Sequence, residues 1–304
     1  MIASVGDFMD PTHAARVERR NVAVTFAGGG NRAFYQLGLM HRWADRILPR
    51  TAAVAACSAG ACVAMLVLSG RETQTRAFWR ARRAHLRRNF DLLELLAGRS
   101  PIPHAPIYRD TLLCICAEGG LERIREAPFP ILVLTAAMPR MLPTSVSVLL
   151  GFGAYNMEKR LRREMIHPSM GRRIGFRPHL VDARSCETPE ELADLVLASS
   201  SSPPFTPVGL FRGKRLLDGG MIDNVPASAA EAVSAVRRNL VLLTRPYPRN
   251  VLGDHGERLY VAPSEPVPVD RWDYTRPDLL DATIDMGERE ADLHEAALRR
   301  FLAC

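Results

Sequence analysis

An α/β fold built on a mostly parallel sheet is what three stretches of this 304-residue chain predict. Val22–Phe26 alternates as a buried strand and runs into Ala27-Gly28-Gly29-Gly30-Asn31-Arg32-Ala33, which opens a helical pattern reaching about Ile47. Thr51–Cys57 is a second apolar run; it breaks at Ser58-Ala59-Gly60 and continues as small and apolar residues at helical spacing to Gly70. Far downstream, residues 210–217 read as a strand that ends in Asp218-Gly219-Gly220, with an alanine-rich helix to follow. Strand and helix alternating in this way predict parallel pairing. Parallel pairing puts the first two loops at the carboxyl edge of the sheet, where they can face one crevice.

Each loop carries residues suited to chemistry. A serine at a sharp strand-to-helix turn is presented with its hydroxyl projecting, and the helix behind it aims backbone N–H groups at developing negative charge. The usual pattern is G-x-S-x-G; here it reads Ala56-Cys57-Ser58-Ala59-Gly60, and Gly60 supplies the small residue that lets strand and helix pass closely. Three consecutive glycines at a helix N-terminus form a bare backbone loop able to hold an anion, either a phosphate or the oxyanion of an acyl transfer. Asp218-Gly219-Gly220 places a carboxylate at a strand end where the chain turns sharply.

The rest of the chain is read around these loops. Residues 1–20 are polar and form an N-terminal arm, and residues 21–304 form one domain with a helical insertion at about 71–165. Residues 71–89 combine Phe78, Trp79 and Leu86 with Arg80, Arg82, Arg83, Arg87 and Arg88, which suits a helix packed by its apolar side or one lying on an anionic membrane. Residues 91–97 and 108–117 are helical in period around a Pro-rich loop at 100–106, and residues 129–135 read as a third core strand. The apolar run 142–155, followed by Lys159-Arg160-Leu161-Arg162-Arg163, fits an interfacial cap or a buried helix with a charged end. Residues 176–183 read as a strand, and Pro189–Ser199 as a helix with Thr188 as N-cap and Glu190 and Glu191 in its first turn. The loop 200–205 is expected near the site. A helix at 227–236, strands at 240–243 and about 259–261, and a helix from about 277 to 302 complete the chain.

Composition sets outer bounds. Hydrophobic content of 47% is ample for a core, and the net charge of +7 is almost all arginine, since Lys159 and Lys214 are the only lysines. Arginine suits phosphate and anionic surfaces. The first 20 residues lack the apolar core of a signal peptide, and no apolar run reaches the roughly 20 residues of a membrane span; a cytoplasmic protein is expected. Six cysteines and eight histidines show no metal-ligand spacing.

Gly28-Gly29-Gly30-Asn31-Arg32, the Ser58 elbow and Asp218-Gly219-Gly220, in that order, resemble the patatin-like phospholipase family. The resemblance runs from about Val22 to the C-terminus and extends to the loop before the Asp218 strand and to Asp273-Tyr274-Thr275. It implies a three-layer α/β/α fold with a Ser-Asp dyad, Ser58 as nucleophile and Asp218 as base. The backbone N–H groups of Gly28, Gly29, Gly30 and Ala59 are the implied oxyanion donors, and Arg32, Gly60, Gly219 and Gly220 support them. A phospholipid or related acyl-lipid substrate is implied, with no metal, no dissociable cofactor and no nucleic-acid partner, and with possible peripheral contact to an anionic membrane. The oligomeric state is left open. The sequence departs from the pattern at Ala33 and Ala56, which bear on the level of activity more than on the fold.

Three alternatives stand beside this reading. Gly28-x-Gly30-x-x-Ala33 fits a dinucleotide fingerprint, but the second strand ends in Ala55-Ala56-Cys57-Ser58 where that fold needs an acidic residue for the ribose, and Asp45 falls inside the preceding helix. His255, in a polar loop with Asp254 and Gly256, could complete a Ser-Asp-His triad. A non-catalytic lipid- or protein-binding module is the third; retention of Ser58, the glycine loop and Asp218 argues against it.

Overall fold

The computed structural model describes residues 20–90, 104–139, 142–161, 166–167, 170–203 and 206–303. The readings of an N-terminal arm and of a helix at 91–97 therefore fall outside the described residues, apart from Arg20.

The chain opens with β1 (Val22–Phe26), a short 3₁₀ turn at Gly30–Ala33 and α1 (Phe34–Ile47). Then come β2 (Thr51–Cys57) and the helices α2 (Ala59–Ser69), α3 (Glu72–Arg83), α4 (His104–Cys116) and α5 (Gly120–Arg125). They lead to β3 (Ile131–Ala137), α6 (Thr144–Leu161), α7 (Met170–Arg173), β4 (Arg177–Asp182) and α8 (Pro189–Ser199). The hairpin β5 (Gly209–Phe211) and β6 (Lys214–Asp218) follows, then α9 (Ala227–Glu231), β7 (Arg238–Leu242), β8 (Gly253–His255), β9 (Arg258–Val261) and α10 (Pro277–Ala303).

The strands β3, β2, β1, β7 and β9 lie side by side and parallel. The flanking strands β4, β5, β6 and β8 join antiparallel. Period-2 alternation sorts the central side chains between the two faces. Val22, Val24, Phe26, Val54, Leu240 and Leu242 enter the main core with α1, α2, α8 and α10. Ala23, Ala53 and Ala55 face the other way, where the short α9 supplies Ala230. The layers are therefore unequal: one face is deeply covered, and the other, lined by small residues, is thin.

One detail of pairing positions the site. β4 occupies one edge of β3, from Leu132 to Ala137. The other edge is shared, since β2 pairs with Ile131 to Leu134 and β6 with Thr135 to Ala137. β2 and β6 thus meet end to end, Cys57 opposite Leu134 and Asp218 opposite Thr135.

Several expectations change. Residues 210–217 are a hairpin, turning at Arg212 and Gly213, both with positive φ (46° and 73°). Leu210 and Arg215 face each other across it, which keeps the alternation that read as one strand. α4 begins at His104 because Pro106 falls in its first turn, where no intrahelical N–H bond is lost. The helix expected over 227–236 stops at Glu231. β8, opposite β9, covers the loop around His255. In α6, Gly151 packs on Met221 and Phe176, whereas Leu149 is 75% exposed and Val146 and Leu150 are also exposed; the helix is neither fully buried nor loose. Three arginines of α3 form ion pairs within the protein, Arg76 and Arg80 with Asp281 and Arg82 with Asp110.

α1 and α10 pack through glycines. A Cβ on Gly38 would lie 2.0 Å from the Ile284 carbonyl oxygen, and one on Gly287 would lie 2.2 Å from that of Tyr35. Next to this contact the Tyr35 hydroxyl donates to Glu290 at 2.8 Å. Gly38→Ala is expected to cost about 1–3 kcal/mol of stability through overpacking, visible as a lower urea midpoint with an unchanged slope.

Candidate active site

The two strand ends bring Ser58 and Asp218 together. Ser58 follows β2 with φ 54° and ψ −133°, a strained conformation for a residue with a side chain, and α2 begins at the next residue. Its N–H donates to Ser199 Oγ at 2.8 Å, and Ser199 Oγ donates to the Leu134 carbonyl at 2.7 Å, so the turn is pinned to β3 through α8. Ser58 Oγ donates to Asp218 Oδ2 at 3.1 Å. Both residues are only 5% exposed.

Asp218 is held on every side. Its Oδ1 accepts from the Gly220 N–H at 2.7 Å, and Oδ2 also accepts from Ser202 Oγ at 3.1 Å. Burial pushes the carboxyl above the usual carboxylate range, opposed by Arg271, the Gly220 N–H and the two serine hydroxyls. A carboxylate raised in this way is a stronger base than one in water. Gly219 is required by space, since a Cβ there would lie 2.2 Å from the Leu134 carbonyl oxygen. Gly60 is required for the same reason, its Cβ position being 2.5 Å from the Ala27 carbonyl oxygen. Ala56 is a fully buried strand residue paired with Phe26, so the departure from G-x-S-x-G is accommodated inside β2.

The glycine loop lies against this pair. Gly30 and Ala59 each stand first in their helices, where N–H groups have no intrahelical acceptor. Gly28 differs from its expected part as a donor. Its N–H is engaged by the Asn224 carbonyl at 2.9 Å, and its own carbonyl accepts from Asn224 Nδ2 and Thr244 Oγ1. Gly28 is an anchor, and the available donors narrow to Gly29, Gly30 and Ala59. Arg32 Nε donates back to the Gly29 carbonyl at 3.3 Å, bracing the loop. Asn31 ties it to the 271–273 segment through the Arg271 and Asp273 carbonyls.

Ser199, Ser202, Asn224 and Thr244 are not assigned roles by the sequence; Ser199 and Ser202 belong to the family-like loop ahead of the Asp218 strand, whereas Asn224 and Thr244 carry no local signal. His255 is exposed on β8, which lies beyond β1, β7 and β9 from β2, and its ring stacks near Tyr260. A triad through His255 is excluded by that distance across the sheet.

A narrow cleft opens in front of Ser58, walled by Phe34, Trp79, Tyr108, Trp272 and Tyr274. At its inner side sit Arg83, 3% exposed, and His104, 5% exposed. The Arg83 guanidinium lies 4.2 Å from the Tyr274 ring centre and 5.8 Å from that of Trp79. Such cation–π contacts are worth up to about 2 kcal/mol when desolvated, which falls short of the several kcal/mol that burying an ion costs. Burial, with Arg83 and Arg271 nearby, brings the His104 pKa down to about 3, so its ring is neutral.

A family model described as Patatin-like phospholipase matches residues 24–231 of this chain. Among solved structures, VipD from Legionella pneumophila aligns over 92% of this chain and 67% of its own, with 10% identity and a TM-score of 0.46. No curated protein matches the sequence.

Removing Ser202 Oγ takes a donor from the ionised form of Asp218 and raises its pKa further. Labelling of Ser58 by a fluorophosphonate probe is therefore expected to decline as pH falls through a titration above the usual carboxylate range. In Ser202→Ala that limb moves to higher pH, whereas a purely structural role for Ser202 would lower labelling at all pH values alike.

Proposed function

From the membership of this chain in the patatin-like phospholipase family, we propose that it is a serine acyl hydrolase that cleaves ester bonds of phospholipids or related lipids through Ser58 and Asp218. The observation that carries the reading is the 3.1 Å bond from Ser58 Oγ to a buried carboxylate, at a strained elbow beside a glycine loop. In the first half-reaction Asp218 takes the Ser58 proton as Oγ attacks the ester carbonyl. The oxyanion is received by the N–H groups of Gly29, Gly30 and Ala59; losing one such donor typically costs about 10²–10³ in turnover. Collapse expels the alkoxide, which takes the proton from Asp218 and leaves as the alcohol. Asp218 then deprotonates a water that attacks the acyl-serine, and the proton returns to Oγ as the carboxylic acid departs. Arg32 keeps its proton throughout and holds the loop.

Peripheral membrane contact is part of this proposal. Leu149, Leu150 and Val146 form an exposed apolar face on α6, the helix runs on to Lys159 and Arg160, and it packs beside Met221, three residues after Asp218. Among the described residues no helix is long and apolar enough to cross a membrane.

Hydrolysis of p-nitrophenyl esters and of a labelled phospholipid tests the chemistry. Ser58→Ala and Asp218→Asn are expected to lower kcat by at least about 10³-fold, and His255→Ala to match wild type; retention of turnover in Ser58→Ala would remove the nucleophile. For the membrane face, partition onto vesicles of mixed anionic and zwitterionic lipid is expected to weaken with added salt. Leu149→Asp is expected to lower it about tenfold or more, since burying one leucine is worth about 1.5–3 kcal/mol.

A further inference from the structure

The cleft in front of Ser58 is mostly aromatic, yet two of its polar side chains carry buried nitrogen atoms with no hydrogen-bond partner among the described residues. Among the described residues neither Nε nor Nη1 of Arg83, and neither ring nitrogen of His104, makes a hydrogen bond. Both residues line the same cleft as Ser58, and both are more than nine-tenths buried. Buried donors are nearly always paired, and the guanidinium fork matches the edge of a carboxylate or phosphate. We propose that Arg83, with His104 beside it, forms an oxyanion subsite that receives a phosphate or carboxylate carried on the substrate whose ester is cut at Ser58.

The position suits a group a few bonds from the scissile carbonyl. Ser58, at the N-cap of α2, and Cys62 in its first turn are four residues apart, about 6 Å along the axis, and both line the cleft. Arg83 lines the same cleft, and its charge acts on the Cys62 thiol. Arg271 reinforces the positive field, because its Nε is also buried without a partner among the described residues and its guanidinium lies 5.1 Å from the centre of the Trp272 ring that walls the cleft. A second cleft meets the first at His104, Tyr108 and Ser200 and leads outward past Leu197, Val208 and Leu210. An apolar chain can follow that route while the anion stays at Arg83. A phosphate beside a glycerol ester and a carboxylate at the far end of a short acyl group share this chemistry.

The identity of the bond that is cut rests on the hydrolase reading, whereas binding at Arg83 does not require turnover. The test therefore uses full-length Ser58→Ala, titrated with hexyl phosphate, heptanoate and hexan-1-ol while the fluorescence of Trp79 and Trp272 in the cleft is followed. One of the anions is expected to bind about tenfold to a hundredfold more tightly than hexan-1-ol, the range for a charged hydrogen-bonded pair. Adding Arg83→Met abolishes that preference. If Arg83→Met does not fold, Arg83→Lys carries the comparison, keeping the charge but losing the fork and part of the anion affinity. Tighter binding of hexyl phosphate assigns the site to a headgroup phosphate, and tighter binding of heptanoate to an acyl-end carboxylate. Equal affinity for hexan-1-ol, a preference that survives Arg83→Met, or no binding of any probe overturns the subsite. Ester hydrolysis by wild type, measured separately, tells failure of the subsite from failure of the hydrolase reading.

Discussion

The site depends on how one edge of β3 is divided. β2 holds that edge as far as Leu134 and β6 takes it from Thr135, so the last residue of each strand abuts the other across one β3 residue step. Because side chains alternate with period 2, a one-residue slip of β6 would turn Asp218 to the opposite face. The hydrogen bond from Asp218 N to the Ser201 carbonyl, at 2.8 Å, fixes the register from outside the sheet. Crowding follows from this junction. Gly219 and Gly60 are the small residues that let two strand ends, a helix start and the β1 loop share the space, and Ser58 takes its strained φ because β2 must turn into α2 at that point.

The same junction sets the electrostatics. A carboxylate at the meeting of two strand ends is out of water, and the penalty for its charge is offset by donors that the crowding supplies: Gly220 N–H, Ser202 Oγ and Ser58 Oγ. With fewer donors the carboxyl would be raised further, and with more it would be a weaker base. The balance recorded here leaves the carboxyl raised but hydrogen-bonded, which is the condition a general base needs. Arg271 takes part through its charge, and its segment is tied back to Asn31 of the glycine loop, so one backbone segment bears on both the loop and Asp218.

Much of this was legible in the sequence, for physical reasons. Three glycines after a strand, a serine between strand and helix, and Asp-Gly-Gly after another strand are backbone requirements written as residue types, so Gly30, Ser58, Gly60 and Gly219 could be found locally. Thr188 was legible likewise, its Oγ1 accepting from the Glu191 N–H at 3.2 Å. What could not be read depends on long-range placement. The β5–β6 turn was hidden because Leu210 and Leu216 keep an alternating pattern on both sides of Gly213. The engagement of the Gly28 N–H needed Asn224, 196 residues away. Arg83 read as one more arginine in a basic helix, and only the packing of α3 against Tyr274 and His104 separates it from Arg80 and Arg82, which reach ion-pair partners.

The unequal layers bear on access to Ser58 and Asp218. The deep face, with α1 packed backbone to backbone on α10, is rigid and holds the glycine loop and α2. The thin face carries α6, whose inner side rests on Met221 just past Asp218 and whose outer side presents leucines to solvent. The hydrolysis proposed above needs Ser58 fixed within a fraction of an ångström, and the deep face carries the helix that follows it. The lipid substrate proposed above would need a surface that tolerates apolar contact near Asp218, and the exposed leucines of the thin face offer one. The division of β3 joins the two requirements, since β2 delivers Ser58 from the rigid layer and β6 delivers Asp218 beside the exposed one.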